Sequence, residues 1–191
     1  GLGATAVWLA PIFKNKPVQS HGNYTGAAHH GYWITDFTAV DPHFGDEAAM
    51  RALVDAAHAR GMKVYLDIVA NHTADVIQYR ECPEGRCAYR SRADYPYTRR
   101  GGVDGAPINE GFDGRDFSRL TRPDYAYTPY VPAGEENAKV PAWLNDPIRY
   151  HNRGESTFAG ESSLDGDFAG LDDLLTEDPV VVQGMIDIFG G

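Results

Sequence analysis

Two short, continuously apolar runs flank one stretch of helical periodicity, and this arrangement sets the first expectation. Residues 4–10 (ATAVWLA) are apolar and stop at Pro11, as a buried strand closed by a breaker would. After a long intervening loop, Asp46 stands as a candidate N-cap. Ala49, Leu53, Val54 and Ala57 then recur at helical spacing, Arg60 falls in the last turn, and Gly61 supplies a stop. KVYLDIVA (63–70) follows at once as a second apolar strand. A helix crossing between two apolar strands predicts parallel pairing in a βαβ unit, hence an α/β fold.

From residue 73 to about 168 both periodicities fade, and Gly, Pro, Asp, Arg and Tyr dominate. A structureless loop of that length is implausible in a compact domain, so this region is read as an inserted subdomain. Its aromatics, among them Tyr95, Tyr97, Phe112, Phe117, Tyr125, Tyr127, Tyr130, Trp143 and Tyr150, are expected to form mostly its own core. Regular structure returns with Asp178-Pro179, an N-cap followed by a first-turn proline. Val182, Met185, Ile186 and Phe189 then share a predicted helical face. The division expected is 1–72, 73–168 and 169–191, with a further strand anticipated after Gly191.

Composition narrows the functional classes. The chain has 191 residues, 42% of them apolar and 23% charged, which suits a globular protein able to bury a core. A formal charge of −10 argues against nucleic acid, whose binding needs clustered Lys and Arg. No apolar run approaches the ~20 residues that span a bilayer, so no membrane partner is expected. Cys82 and Cys87 sit either side of a Pro- and Gly-containing turn, where a local disulfide and two free thiols are both open readings. A disulfide would suit an exported protein, secreted or periplasmic.

Polar residues at strand ends carry the candidate chemistry. Alternation places Tyr65, Asp67 and Val69 on one face of the second strand, and Val64, Leu66 and Ile68 on the other. A carboxylate buried there must be paired, so a structural Asp67 tying strands together is the plain reading. Asn71 and His72 fall at the carboxyl end, where parallel α/β folds place ligand-binding groups; turn chemistry would also account for them. Asn offers a hard oxygen suited to calcium and a neutral His suits hydroxyls, whereas the His and Cys spacings of zinc sites are missing. After the first strand, His29-His30-Gly31-Tyr32-Trp33 could wall a flat hydroxylated ligand or simply pack a Tyr-Trp pair.

Taken together, VWLAPIF, HHGYWITDFTAVDPHFG, DEAAMRALVDAAHARGMKVYLDIVANHT, RYHNRGESTF and FAGLDDLLTEDPVV resemble the α-amylase family of glycoside hydrolases (family 13), in the family's order and approximate spacing. The resemblance implies a partial TIM (β/α)8 barrel carrying barrel strands two and three with flanking helices, interrupted after strand three by domain B. It implies that Tyr32 is the aromatic platform under the sugar at the cleavage subsite, that His30 and His72 bind that sugar's hydroxyls, and that Asp67 is the motif's structural carboxylate. It also implies a structural calcium held by Asn71 and Asp173. The family motif usually reads Ala-Asp-Leu-Asn; Asp172 and Leu175 depart from it, and Asp172 is the alternative ligand.

The same resemblance implies an α-glucan substrate and retaining hydrolysis of α-1,4 bonds by carboxyl groups on barrel strands four, five and seven. This chain ends before strand four, so none of its residues is assigned as nucleophile or general acid, and the isolated polypeptide is expected to be inactive and prone to aggregate. RYHNRGESTF is also similar to glucan-cyclising transferases, which keeps a transferase or isomerase of the same family open. A non-catalytic amylase-like scaffold and, more remotely, a zinc-dependent barrel hydrolase are the other readings.

Overall fold

The computed structural model describes residues 3–83, 86–97, 99, 102–107 and 126–190. The strands in chain order are β1 (Ala6–Leu9), β2 (Phe13–Asn15), β3 (Val18–His21), β4 (Tyr24–Ala27) and β5 (Ile34–Val40). Helix α1 (Glu47–His58) follows, then β6 (Lys63–Leu66), β7 (His72–Thr73), β8 (Gln78–Tyr79) and β9 (Pro129–Tyr130). Two 3-10 turns, Ala142–Asn145 and Pro147–Arg149, precede α2 (Ser162–Asp165), β10 (Asp172–Asp173) and α3 (Pro179–Phe189). No helix among the described residues is long and apolar enough to cross a membrane.

The βαβ unit forms as the sequence predicts. β1 and β6 pair in parallel, Ala6 opposite Lys63 through Leu9 opposite Leu66. The Asp46 carboxylate caps α1 by accepting from the Ala49 amide at 2.7 Å, which satisfies a donor that the first turn leaves unpaired. Gly61 adopts a positive φ of 70° in the connection to β6. β6 itself is shorter than expected. Its ladder closes with the Asp67 amide donating to the Leu9 carbonyl at 2.9 Å, because its partner β1 runs out there. Its side chains are also more exposed than the buried strand predicted, with Tyr65, Leu66 and Ile68 all open to solvent. Within the described residues β1 is its one neighbour, so no further strand covers them.

The stretch between β1 and α1, read from sequence as a long loop, holds four strands instead. β2 pairs antiparallel with β5, and β3 with β4 in a hairpin whose two-residue turn is Gly22-Asn23. β5 (ITDFTAV) carries no period-two alternation, and its two large buried side chains, Ile34 and Phe37, are three residues apart and so on opposite faces, which is why the sequence did not mark it as a strand. These two side chains belong to the main core, which also takes in Val69, Ile77, Tyr150, Leu174 and Met185. The core therefore sits where residues 76–150 meet β5, Leu174 and α3, rather than on the β1–β6 pair.

In α3, Asp178 caps through the Val180 amide at 2.9 Å and Pro179 opens the helix, both as expected. The predicted face holds in part: Met185 is buried and Phe189 packs against the core as expected, but Val181 and Gly184 face inward with them while Val182 and Ile186 are exposed. Trp143 lies so close to Gly184 that a Cβ there would collide with its indole, and this contact fixes the rotation of the helix. Between β8 and β9, Cys82 and Cys87 form a disulfide. Tyr79 and Tyr127 stack at 5.2 Å, and the Arg90 guanidinium sits 3.9 Å above Tyr127. Tyr97, Tyr127 and Tyr150 are buried as core aromatics, whereas Phe112, Phe117 and Tyr125 lie outside the described residues.

Candidate functional site

The carboxyl ends of β1 and β6 bring four of the sequence-selected side chains into one cluster. Gly31 (φ +85°) presses the backbone against Pro11 just beyond β1, where any Cβ would collide with the Pro11 carbonyl oxygen. That close approach turns the following Tyr32 toward β6. The Tyr32 hydroxyl donates to Asp67 Oδ2 at 3.0 Å, and its backbone amide donates to His30 Nδ1 at 3.1 Å. The His30 ring stacks on Tyr32 with centroids 5.8 Å apart and meets Trp33 edge-on at 4.7 Å. His72 Nε2 donates to the Tyr32 carbonyl at 3.3 Å.

Asp67 is half-exposed at the strand's end and holds the Tyr32 phenol, rather than lying buried in an interior as its place in an apolar run suggested. The hydrogen bond to Asp67, with smaller contributions from burial and the carboxylate's charge, raises the Tyr32 pKa and keeps the phenol protonated. Burial lowers the pKa of His30, with His29 adding to the effect. Burial lowers that of His72 as well, opposed by its bond to the Tyr32 carbonyl. Both imidazoles are therefore neutral near pH 7. Because His30 accepts at Nδ1, its proton is on Nε2; because His72 donates from Nε2, its Nδ1 is an acceptor. An aromatic face flanked by one neutral donor and one neutral acceptor suits a polyhydroxylated ring.

A second cluster adjoins the first through the β7–β10 pair, which sets His72 opposite Asp173. The Asn71 side-chain amide donates to Asp173 Oδ1 at 2.9 Å. The other Asp173 oxygen accepts from His151 Nδ1 at 2.6 Å, and His151 Nε2 donates to Glu177 at 3.0 Å. Burial pushes His151 down, but its bonds to Asp173 and Glu177 outweigh this and raise its pKa to about 9. Burial raises Asp173 to about 6 against the pull of His151. At neutral pH the two form a buried ion pair. His151 lies within RYHNRG, and nothing local to it marks its partners, Asp173 in β10 and Glu177 just before α3.

Asn71 and Asp173 present hard oxygen chemistry at hydrogen-bonding distance, with the amide orientation assigned from its partner. Among the described residues no group of three or more His, Cys, Asp or Glu is arranged to hold a metal ion. The pair would thus supply only part of a calcium shell of six to eight oxygens. Asp172 is committed elsewhere. Its Oδ2 lies 2.5 Å from Lys139 Nζ and accepts from the Val76 amide at 3.0 Å, and both side chains are buried. Lys139 was not singled out by its sequence context either.

The alpha-amylase catalytic-domain family model matches residues 1–190. The chain is 52% identical over 192 residues to an alpha-amylase of Streptomyces lividans, covering 99% of this chain and 20% of that protein. It is 31% identical over 155 residues to a cyclomaltodextrin glucanotransferase of Bacillus sp. strain 17-1, covering 78% of this chain and 21% of that one. Among solved structures, an alpha-amylase from Geobacillus thermoleovorans complexed with acarbose aligns with a TM-score of 0.50 at 30% identity, over 96% of this chain and 26% of that one. A three-domain cyclomaltodextrin glucanotransferase aligns with a TM-score of 0.57 at 24% identity, over 98% and 30% of the two chains, a likeness of fold alone. The chain spans about a fifth of the length of the Streptomyces relative.

Proposed function

The chain belongs to the alpha-amylase catalytic-domain family, and from that premise we propose that the protein it is part of hydrolyses α-1,4-glucosidic bonds of starch or maltooligosaccharides with retention. One observation carries the reading: Tyr32, His30, His72 and Asp67 converge at the carboxyl ends of a parallel strand pair. In this proposal Tyr32 underlies a glucose ring, His30 donates to one hydroxyl and His72 accepts from another. Asp67 fixes the platform by holding its phenol, and the α-glucan is the partner.

The finer assignments extend the same proposal. Residues 1–72 and 169–191 belong to a (β/α)8 barrel and 73–168 to an inserted domain B. A structural calcium would draw on Asn71 and Asp173 and would supply a cross-link between the end of β6 and β10. Export from the cytoplasm, to the medium or periplasm, is supported by the Cys82–Cys87 disulfide. No residue of the 191 matches the family's nucleophile or general acid, so this polypeptide alone is proposed to be inactive.

The test is hydrolysis of soluble starch by the full-length protein, and by its Tyr32→Ala and His72→Ala variants. The reading requires activity in the first and a strong loss in the others. Full-length protein that binds glucan without cleaving it would favour a scaffold. Starch hydrolysis by the purified 191-residue chain, with contaminating amylase excluded, would overturn the proposal that it is inactive. The similarity to the Bacillus glucanotransferase favours transfer as the second reading, which cyclic or disproportionated products would reveal.

A further inference from the structure

Tyr32 and His30 of the candidate site sit on residues 28–33, a stretch that belongs to none of the strands. The segment 11–17 holds it in place. The Ala28 amide donates to the Pro17 carbonyl at 3.0 Å, the Lys16 amide donates to the Trp33 carbonyl at 2.8 Å, and Gly31 presses on the Pro11 carbonyl. One further tie is made by a side chain: the Trp33 amide donates to Asn15 Oδ1 at 2.6 Å.

Asn15, in β2, is 3% exposed, and both ends of its side-chain amide are engaged, since Nδ2 donates to the Phe13 carbonyl at 2.7 Å. An N–H at one end and a carbonyl at the other fix which way that amide points. The β2–β5 register shifts on both sides of Lys14, and here the side chain supplies the acceptor that a regular ladder would take from the backbone. The far end of β5 braces it in turn. The Asn15 backbone amide donates to Asp41 Oδ2 at 2.8 Å, and the other oxygen of this buried carboxylate accepts from the His43 amide at 2.8 Å.

The Trp33 N–H and the Tyr32 C=O are two sides of one planar trans peptide and point in opposite directions. Asn15 holds the N–H, while the carbonyl accepts from His72 Nε2 at 3.3 Å. Turning that peptide therefore breaks the Asn15 bond, displaces the Tyr32 side chain and withdraws the acceptor that sets the His72 tautomer. Asn15 is too deeply buried to meet a sugar itself, yet it governs where two sugar-facing groups stand.

We propose that Asn15 is a positioning residue: it locks the Tyr32–Trp33 peptide and through it aligns the aromatic platform and His72. The proposal rests on the glucan-hydrolase reading of that site. Full-length wild type, Asn15→Ala and Asn15→Asp are compared, each also in a Tyr32→Ala background, by kcat and KM on maltooligosaccharides and by melting temperature. Asn15→Ala is expected to lower kcat about tenfold or more with KM changed less than about threefold. Asn15→Asp, which keeps an oxygen for the Trp33 amide, restores most of kcat even where its melting temperature is no higher than that of Asn15→Ala. With the platform already removed by Tyr32→Ala, Asn15→Ala should cost about threefold or less. An unchanged kcat, an equal cost in both backgrounds, or Asn15→Asp no better than Asn15→Ala would overturn the proposal. Hydrogen exchange without substrate gives a readout independent of activity: amides 28–33 exchange faster in Asn15→Ala while those of α1 do not. Exchange unchanged across 28–33 would overturn the hold of Asn15 on the peptide, whatever the activity. A wild type inactive on glucans, whose exchange at 28–33 still depends on Asn15, would overturn the hydrolase reading and leave that hold standing. Should Asn15→Ala fail to fold, Asn15→Ser, whose side chain is too short for the Trp33 amide, takes its place in every comparison.

Discussion

Replacing Lys139 by Met should destabilise this domain far more than its place in a polar, loop-rich segment suggests. The ammonium is fully enclosed, 2.5 Å from Asp172 Oδ2, and donates to the Tyr150 hydroxyl at 3.0 Å while lying 4.2 Å from the centre of that ring. Burial alone would lower its pKa, but Asp172 outweighs burial and holds it above the ordinary lysine value. Removing one partner of a buried ion pair costs about 3–5 kcal/mol, because the remaining charge is left without compensation. Asp172 would keep the amides of Val76 and Ile77, at 3.0 and 3.1 Å, so the lower end, about 3 kcal/mol, is expected. Asp172→Asn should cost a comparable amount by stranding the ammonium. The double variant should fall short of the sum by about 2 kcal/mol, the coupling characteristic of groups in contact. Equilibrium denaturation of the full-length protein and its three variants at pH 7 measures this directly. A loss below about 1 kcal/mol for Lys139→Met, or additive single effects, would show that the pair does not hold the segment around Lys139 to β10.

Four further outcomes follow from the same contacts. The folded-state pKa of His151, about 9, lies above its ordinary 6.5, so its stabilisation is complete below pH 6.5 and is lost as pH rises through 9. The gap corresponds to about 3 kcal/mol, and thermal melts of His151→Gln should lack that part of the pH dependence. Tyr32→Ala should lower kcat/KM on maltooligosaccharides at least about tenfold while leaving the melting temperature nearly unchanged, since the side chain is exposed; a fall in stability with activity intact would reverse its assigned role. Chelation should lower the melting temperature of the full-length protein, and Asn71→Ala or Asp173→Ala should blunt that response; a melt indifferent to chelator and to added Ca²⁺ would count heavily against the calcium proposal. Reduction of the Cys82–Cys87 bond, which closes a short loop, should cost about 2 kcal/mol by chain entropy, with a Cys82→Ser/Cys87→Ser variant as the comparison.

The readable parts of the chain were those whose physics is local. Caps at Asp46 and Asp178, the apolar runs of β1 and β6, and the helical spacing of α1 depend on neighbours a few residues away, so periodicity and capping chemistry were sufficient. The order strand, helix, strand then required parallel pairing, and it placed Tyr32, Asp67, Asn71 and His72 at the same end of that pair. Where the sequence reading failed, no local signal was decisive. β5 buries residues on both of its faces and so shows no alternation, and either of two faces of α3 could have been buried until Trp143 packed against Gly184.

What the sequence alone determined is therefore the kind of fold, the family it resembles, and which polar side chains stand at the ends of its strands. Only the tertiary structure decided how those side chains are held. The Tyr32 phenol on Asp67, the His72 bond to the Tyr32 carbonyl, the Asn71–Asp173 bond and the ion pairs of His151 and Lys139 join residues 22 to 102 positions apart. Their energies depend on burial and on partners that no sequence window contains. A hydrogen-bonded charge in a low-dielectric interior is set by what surrounds it in space, and that is known only once the chain has folded.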